Sequence, residues 1–299
     1  MNYPAHFLYA GREYGSRERF VAAPLLRRRF ETHAPTSARL LITGLGYYAL
    51  FLNGKELTKG PLAPYISAPT DLVYYDEYDL LPHLREGNNV LCVLLGNGFQ
   101  NDFGGYVWDF DQAVWRGAPR MALTLALEDA RGETVIESDE RFQAARSAIL
   151  MDNTRYGEHY DARLERPELH DPDATCDDLP PAQPCDAPTG EKRLCDCEPI
   201  VVERQIAPVS IVHTDEGALY DFGENNAGLC RLSIDGKAGQ KVQLYFGEHR
   251  VGDRLDMTNL KFEDRYGADD LVQKDVYFCK DGPQTHTPRF TYHGFRYVL

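Results

Sequence analysis

Between Gly96 and Gly117 the chain reads Gly-Asn-Gly-Phe-Gln-Asn-Asp-Phe-Gly-Gly-Tyr-Val-Trp-Asp-Phe-Asp-Gln-Ala-Val-Trp-Arg-Gly, which holds both tryptophans, Trp108 and Trp115, and four glycines ahead of Tyr106. A loop so rich in large aromatic side chains needs burial against another surface or a ligand to cover it. Its carboxylates, Asp109 and Asp111, and the adjacent pair Glu263 and Asp264 are the residue types that general acid and base chemistry uses. Carboxylates in a polar loop are ordinarily solvated, and no pocket that would raise a pKa is readable around them, so no residue is assigned a catalytic role. Glu248-His249 and Tyr292-His293 read as strand-end histidines bonded to backbone or to a neighbouring domain.

The elements that must position these residues read as β throughout. From Arg39 to Leu57 two short strands are broken at Gly44 and Gly46 and turned at Asn53-Gly54, a dipeptide that tolerates the positive φ of a type I′ turn. Tyr48, Leu50 and Leu52 fall on one face of the second strand and Tyr47, Ala49 and Phe51 on the other, so it is expected to be covered twice, as in a sandwich. Pro61, Pro64 and Pro69 make Gly60 to Thr70 a surface loop. Val73 to Leu80 alternates as a strand, Leu81 to Glu86 forms a helical turn closed by Gly87, and Asn89 to Leu95 is a continuous apolar strand of the buried kind. Met121 to Glu128 and Glu133 to Ser138 pair across a turn, Arg141 to Ala145 continues the meander, and Met151 to Arg163 closes the first domain.

From Pro167 to Pro199 the composition shifts to Pro, Asp and Cys with few large apolar residues, which suits an exposed linker. The expected division is a first domain over residues 1–170, a linker over 171–199 and a second domain over 200–299. In the second, Ala218 to Phe222, Leu229 to Ile234, Lys241 to Phe246, Asp275 to Cys279 and Phe290 to Leu299 read as strands. The last residues, Arg-Tyr-Val-Leu299, lie inside a strand, as expected of a piece of something longer.

Lys and Arg number 32 against 46 Asp and Glu, a formal net charge of -14. A surface so negative repels phosphate backbones and anionic headgroups, so neither nucleic acid nor membrane is an expected partner, whereas a neutral glycan is not repelled. The seven cysteines, odd in number and scattered with one Cys-x-Cys, read as free thiols of a reducing compartment rather than a zinc site. The N-terminus lacks a basic segment followed by an apolar run, and Val90 to Leu95 is too short to span a bilayer, so the expected location is cytoplasmic.

Six stretches carry a resemblance. The first half has Ile42-Thr43-Gly44-Leu45-Gly46-Tyr47-Tyr48 with Leu52-Asn53-Gly54-Lys55, Tyr75 to Asp79, Leu94-Leu95-Gly96-Asn97-Gly98 and Tyr160-Asp161-Ala162-Arg163. The second has Tyr220-Asp221-Phe222-Gly223-Glu224-Asn225-Asn226-Ala227-Gly228 and Pro288-Arg289-Phe290-Thr291-Tyr292-His293-Gly294-Phe295-Arg296-Tyr297-Val298. In that order they resemble the N-terminal, non-catalytic portion of a bacterial α-L-rhamnosidase of glycoside hydrolase family 78. The resemblance implies an all-β chain of two β-sandwich domains, the first a jelly roll of the galactose-binding type and the second a smaller antiparallel sandwich. Both would precede an α/α-barrel that holds the catalytic carboxylates of an inverting hydrolase, set about 6.5 to 9.5 Å apart to admit a water. The barrel's Cys-Pro-x-Arg-x-Glu stretch is absent from this sequence, so the catalytic pair is expected outside it.

On this resemblance the intact enzyme takes a rhamnose-containing glycoside, and the barrel is this region's intramolecular partner. Some relatives bind L-rhamnose through a calcium ion bridging sugar hydroxyls to protein oxygens, beside an aromatic face. By that analogy Tyr106, Trp108, Asp109 and Asp111 are the candidate sugar-binding residues, and calcium is the one cofactor the resemblance brings in. The rival expectations are an independent carbohydrate-binding module and a self-sufficient sandwich glycosidase.

Overall fold

In the computed structural model, which describes residues 2–12, 19–102, 109–260 and 273–299, the strands Ser37–Leu45 and Tyr47–Leu52 are separated by Gly46 alone. Its φ is +98°, and a Cβ there would lie 2.3 Å from the carbonyl oxygen of Gly96, so glycine is required on both counts. The bend sends the two strands into different sheets. Ser37–Leu45 pairs antiparallel with Leu72–Asp79 and Arg120–Asp129, whereas Tyr47–Leu52 pairs with Gly87–Gly96. The expected turn forms at Asn53-Gly54, with φ of +51° and +81°, and returns the chain as the short strand Lys55–Glu56.

The two sheets face one another. One has seven strands and is built around Ser37–Leu45 and Arg120–Asp129; the other has five, in the order Gln143–Arg146, Pro24–Thr32, Gly87–Gly96, Tyr47–Leu52, Lys55–Glu56. Leu40, Ile42, Leu123 and Leu125 of the first meet Leu26, Leu50, Leu91 and Val93 of the second in the main core. Burying each such side chain contributes about 1.5–3 kcal/mol. On the far side of the five-stranded sheet Tyr47, Ala49 and Phe51 pack with Ile149, Leu169 and Phe290. Tyr47–Leu52 is therefore covered on both faces, as its two-sided apolar pattern requires.

Three sequence expectations are corrected. Gln143–Arg146 does not extend the meander but crosses to pair with Pro24–Thr32 in the opposite sheet. The segment 171–199, read as an exposed linker, carries Gln183–Cys185 against Phe7–Tyr9 and Glu191–Leu194 in parallel against Leu72–Asp79. Both are the outermost strands of the seven-stranded sheet, where ladder hydrogen bonds suffice and no alternating apolar pattern is needed. Arg27, fully buried, holds the preceding stretch down by donating to the carbonyls of Leu169 at 2.8 Å, Asp171 at 3.0 Å and Thr175 at 3.2 Å. Third, the hairpin Ile149–Asn153 and Gly157–Asp161, expected to close the first domain, enters the sheet of the second half, with Gly157–Asp161 parallel to Lys274–Phe278.

That sheet has seven strands, continuing through Lys241–Gly247, His293–Val298, Ala218–Gly228 and Ser210–His213. The pair Leu232–Gly236 and Gly282–His286 packs on it through Leu232, Ile234, Tyr277 and Cys279. The chain is thus two β-sandwiches, joined by the hairpin. Among the described residues no helix is long and apolar enough to cross a membrane.

Candidate functional site

The aromatic loop leaves the end of Gly87–Gly96, and its first residues are tied to the hairpin. Asn97 donates its backbone N–H to Asp152 Oδ1 at 2.7 Å and its side-chain amide to Oδ2 at 2.8 Å. Asn101 then donates its amide to Asn97 Oδ1 at 2.8 Å. Asp152 is 2% exposed, and burial foremost, with the like charge of Glu158 behind it, pushes its carboxyl up to about 8 against the opposing N–H bonds from Asn97 and Gly98. At the foot of the loop Phe290 fills the space over Gly96, where a Cβ would lie 2.4 Å from the ring, and stacks on Tyr47.

Two of the four candidate sugar-binding residues, Tyr106 and Trp108, lie outside the described residues, as do Glu263 and Asp264. Asp109 is exposed and precedes the short 3-10 turn Phe110–Gln112, its carbonyl accepting the Gln112 N–H at 3.0 Å. Asp111, within that turn, is half-buried and has one carboxylate oxygen buried with no hydrogen-bond partner. No group of three or more His, Cys, Asp or Glu in metal-binding range occurs among the described residues. Two carboxylates fall short of the about six to eight oxygens that calcium takes. The described residues thus do not make a calcium site.

The structure adds a feature that sequence reasoning missed. Trp115 lines a shallow hollow together with Thr43, Tyr65, Ile66, Tyr74 and Gln100. Gln100 donates to the Trp115 carbonyl at 2.6 Å, and Tyr65 meets Tyr74 edge to face at 5.9 Å. Tyr65 and Ile66 are 51% and 52% exposed in the Pro-rich loop. Partly exposed aromatic faces suit the apolar side of a ligand, whereas the Thr43 hydroxyl is buried and donates to the Tyr74 carbonyl at 2.7 Å. The signal was present in the sequence, since Tyr65 and Ile66 are apolar residues between prolines in a loop, but only the fold brings Trp115 to them.

Further polar groups collect where the hairpin meets the second sheet. Glu158, 1% exposed, accepts from Arg289 N at 3.0 Å and lies 2.8 Å from His286 Nε2. Asp275 accepts the Glu158 N–H at 3.0 Å and lies 3.0 Å from Nε2 of the fully buried His293, which stacks on Phe246. His293 is thus bonded to a carboxylate of its own sheet. His249 is exposed, and its neighbour Glu248 accepts amides from Asn225 at 3.1 Å and Asn259 at 3.0 Å. These contacts are structural, joining strand to strand.

The family described as alpha-L-rhamnosidase N-terminal domain matches residues 33–204, and that described as bacterial alpha-L-rhamnosidase concanavalin-like domain matches residues 212–299. An alpha-L-rhamnosidase of Formosa agariphila is 31% identical over 270 residues, which make up 88% of this chain and 28% of that protein. The structure of the alpha-L-rhamnosidase from Dictyoglumus thermophilum superposes with a TM-score of 0.85 at 26% identity, over 98% of this chain and 33% of the other. The Streptomyces avermitilis alpha-L-rhamnosidase, solved with L-rhamnose, gives a TM-score of 0.78 at 29% identity, over 93% of this chain and 26% of the other. The chain thus spans about a quarter to a third of the length of these relatives. With both family matches in order along two β-sandwiches, the chain belongs to the bacterial α-L-rhamnosidases, of which it forms the N-terminal region.

Proposed function

We propose that this chain is the β-sandwich framework of an enzyme that hydrolyses terminal α-L-rhamnose from glycosides with inversion, and that a helical barrel elsewhere in the same polypeptide supplies the acid and the base. The observation that carries this reading is the pair of family matches tiling the chain in order while the rhamnosidases it resembles run far beyond it. The framework supports the barrel. Turnover tests the assignment: the 299-residue chain leaves an aryl α-L-rhamnoside intact, and the polypeptide that continues into the barrel releases L-rhamnose.

A second reading, binding of a rhamnose-type sugar by this chain on its own, is favoured by the hollow lined by Tyr65, Tyr74 and Trp115. One sugar face would rest on the aromatic rings. Titration calorimetry with L-rhamnose, with and without calcium, decides it: heat lost on Trp115→Ala supports the hollow, and no heat in either buffer removes the reading.

A further inference from the structure

Besides the hairpin, a second stretch of chain runs between the sandwiches, from the end of Glu191–Leu194 to the edge strand Ser210–His213. Its residues 196–208 belong to no strand and make no backbone–backbone hydrogen bond among the described residues. The stretch is nonetheless held at three points. The Ile200 carbonyl presses on Gly60, where a Cβ would lie 2.0 Å from its oxygen. Arg204 pairs with Glu224, and the Val209 N–H donates to the Asp221 carbonyl at 2.7 Å.

The composition of this connector does not suit a strap that faces water. Ile200, Val201, Val202, Val209 and Ile211 are β-branched and apolar, types that strands and cores take up, yet they are between 50% and 69% exposed. Single exposed apolar residues are ordinary, whereas three in succession and two more on one face of the chain entering an edge strand mark a surface that something covers.

This chain spans about a quarter to a third of its relatives and forms their N-terminal region, so in them a larger body of polypeptide follows the position of Leu299. Leu299 lies close to the exposed edge. Val298 pairs with Tyr220, and Tyr220 with Ile211, which sets the end of its strand two ladder spacings, about 10 Å, from Ile211. A body tethered there meets the connector at an effective concentration on the order of millimolar. A second copy of a chain with a net charge of -14 is repelled instead. The exposed Glu198 and Glu203 flank Ile200–Val202, so the face that fits is apolar with a rim of Lys or Arg.

On the reading of this chain as a framework, we propose that the connector from Pro199 to Ile211 is the seat on which the polypeptide beyond Leu299 docks, through an apolar face that covers Ile200, Val201, Val202, Val209 and Ile211.

Hydrogen exchange tests the seat on two proteins, the 299-residue chain and the polypeptide that continues beyond Leu299. The amides of residues 200–206 are expected to exchange fast in the first and at least about tenfold more slowly in the second. Val202→Asp is expected to leave the thermal midpoint of the 299-residue chain unchanged, because the side chain faces water there, and to return residues 200–206 of the longer polypeptide to fast exchange. Fast exchange in a longer polypeptide that releases L-rhamnose from an aryl rhamnoside overturns the seat and leaves the framework standing. Slowed exchange without release of rhamnose supports the seat and overturns the rhamnosidase reading. Slowing that survives Val202→Asp, or that appears in the 299-residue chain as its concentration rises and so marks a second copy on the connector, overturns the proposal.

Discussion

At the scale of single residues, the buried carboxyl of Asp152 and the half-buried ring of His159 act on stability from opposite sides of neutrality. Asp152 is raised to about 8, so the folded chain holds a proton that the unfolded chain releases near 4. Its contribution is fully present below the unfolded value and is lost as pH rises through the folded one, at about 1.4 kcal/mol per pH unit between them. His159 is lowered to about 4, by burial first and then by Lys274. Its contribution is present above the unfolded imidazole's range and is lost as pH falls toward 4. In urea unfolding between about pH 6 and pH 8, the wild type is expected to lose about 1.4 kcal/mol per unit more than Asp152→Asn. Parallel profiles would show that Asp152 titrates alike in both states. A lone Asp in the polar run Met151 to Arg163 carries no sequence signal, since its burial depends on Asn97, 55 positions away.

At the scale of elements, sequence reading succeeded where a local rule sufficed. Asn53-Gly54, the alternating faces of Tyr47–Leu52 and the apolar run within Gly87–Gly96 each declare a strand or turn from neighbours in the chain. The edge strands Gln183–Cys185 and Glu191–Leu194 were not legible, because the partners that hold them, Phe7–Tyr9 and Leu72–Asp79, lie more than a hundred residues away. The hairpin at Ile149–Asp161 was hidden for the same reason, its parallel partner lying at Lys274–Phe278. Gly46 is where local and long-range demands coincide, and it supplies the test at this scale. Gly46→Ala meets both a φ of +98° and a 2.3 Å approach to the Gly96 carbonyl, and is expected to cost about 2–4 kcal/mol. Gly87→Ala, with a φ of +79° but open space around it, is expected to cost only about 1–2 kcal/mol. Equal losses in denaturant unfolding would mean that the close approach at Gly46 is relieved by a backbone shift.

At the scale of the whole molecule, the hairpin that joins the two sandwiches also holds the root of the aromatic loop through Asp152 and Asn97. The all-β class and the family were legible, because the stretches that carry the resemblance, from Ile42 to Tyr48 through Pro288 to Val298, are also the ones that build the bend at Gly46, the loop root and the seam. The hollow at Tyr65 and Trp115 was not, because its residues are gathered from the Pro-rich loop, the strand Leu72–Asp79 and the far end of the aromatic loop. That the acid and the base belong to another part of the polypeptide is best tested by the rate at which the purified 299-residue chain releases nitrophenol from nitrophenyl α-L-rhamnopyranoside. A rate indistinguishable from buffer is the predicted result. A measurable rate that falls when one of the chain's own carboxylates is replaced would contradict it.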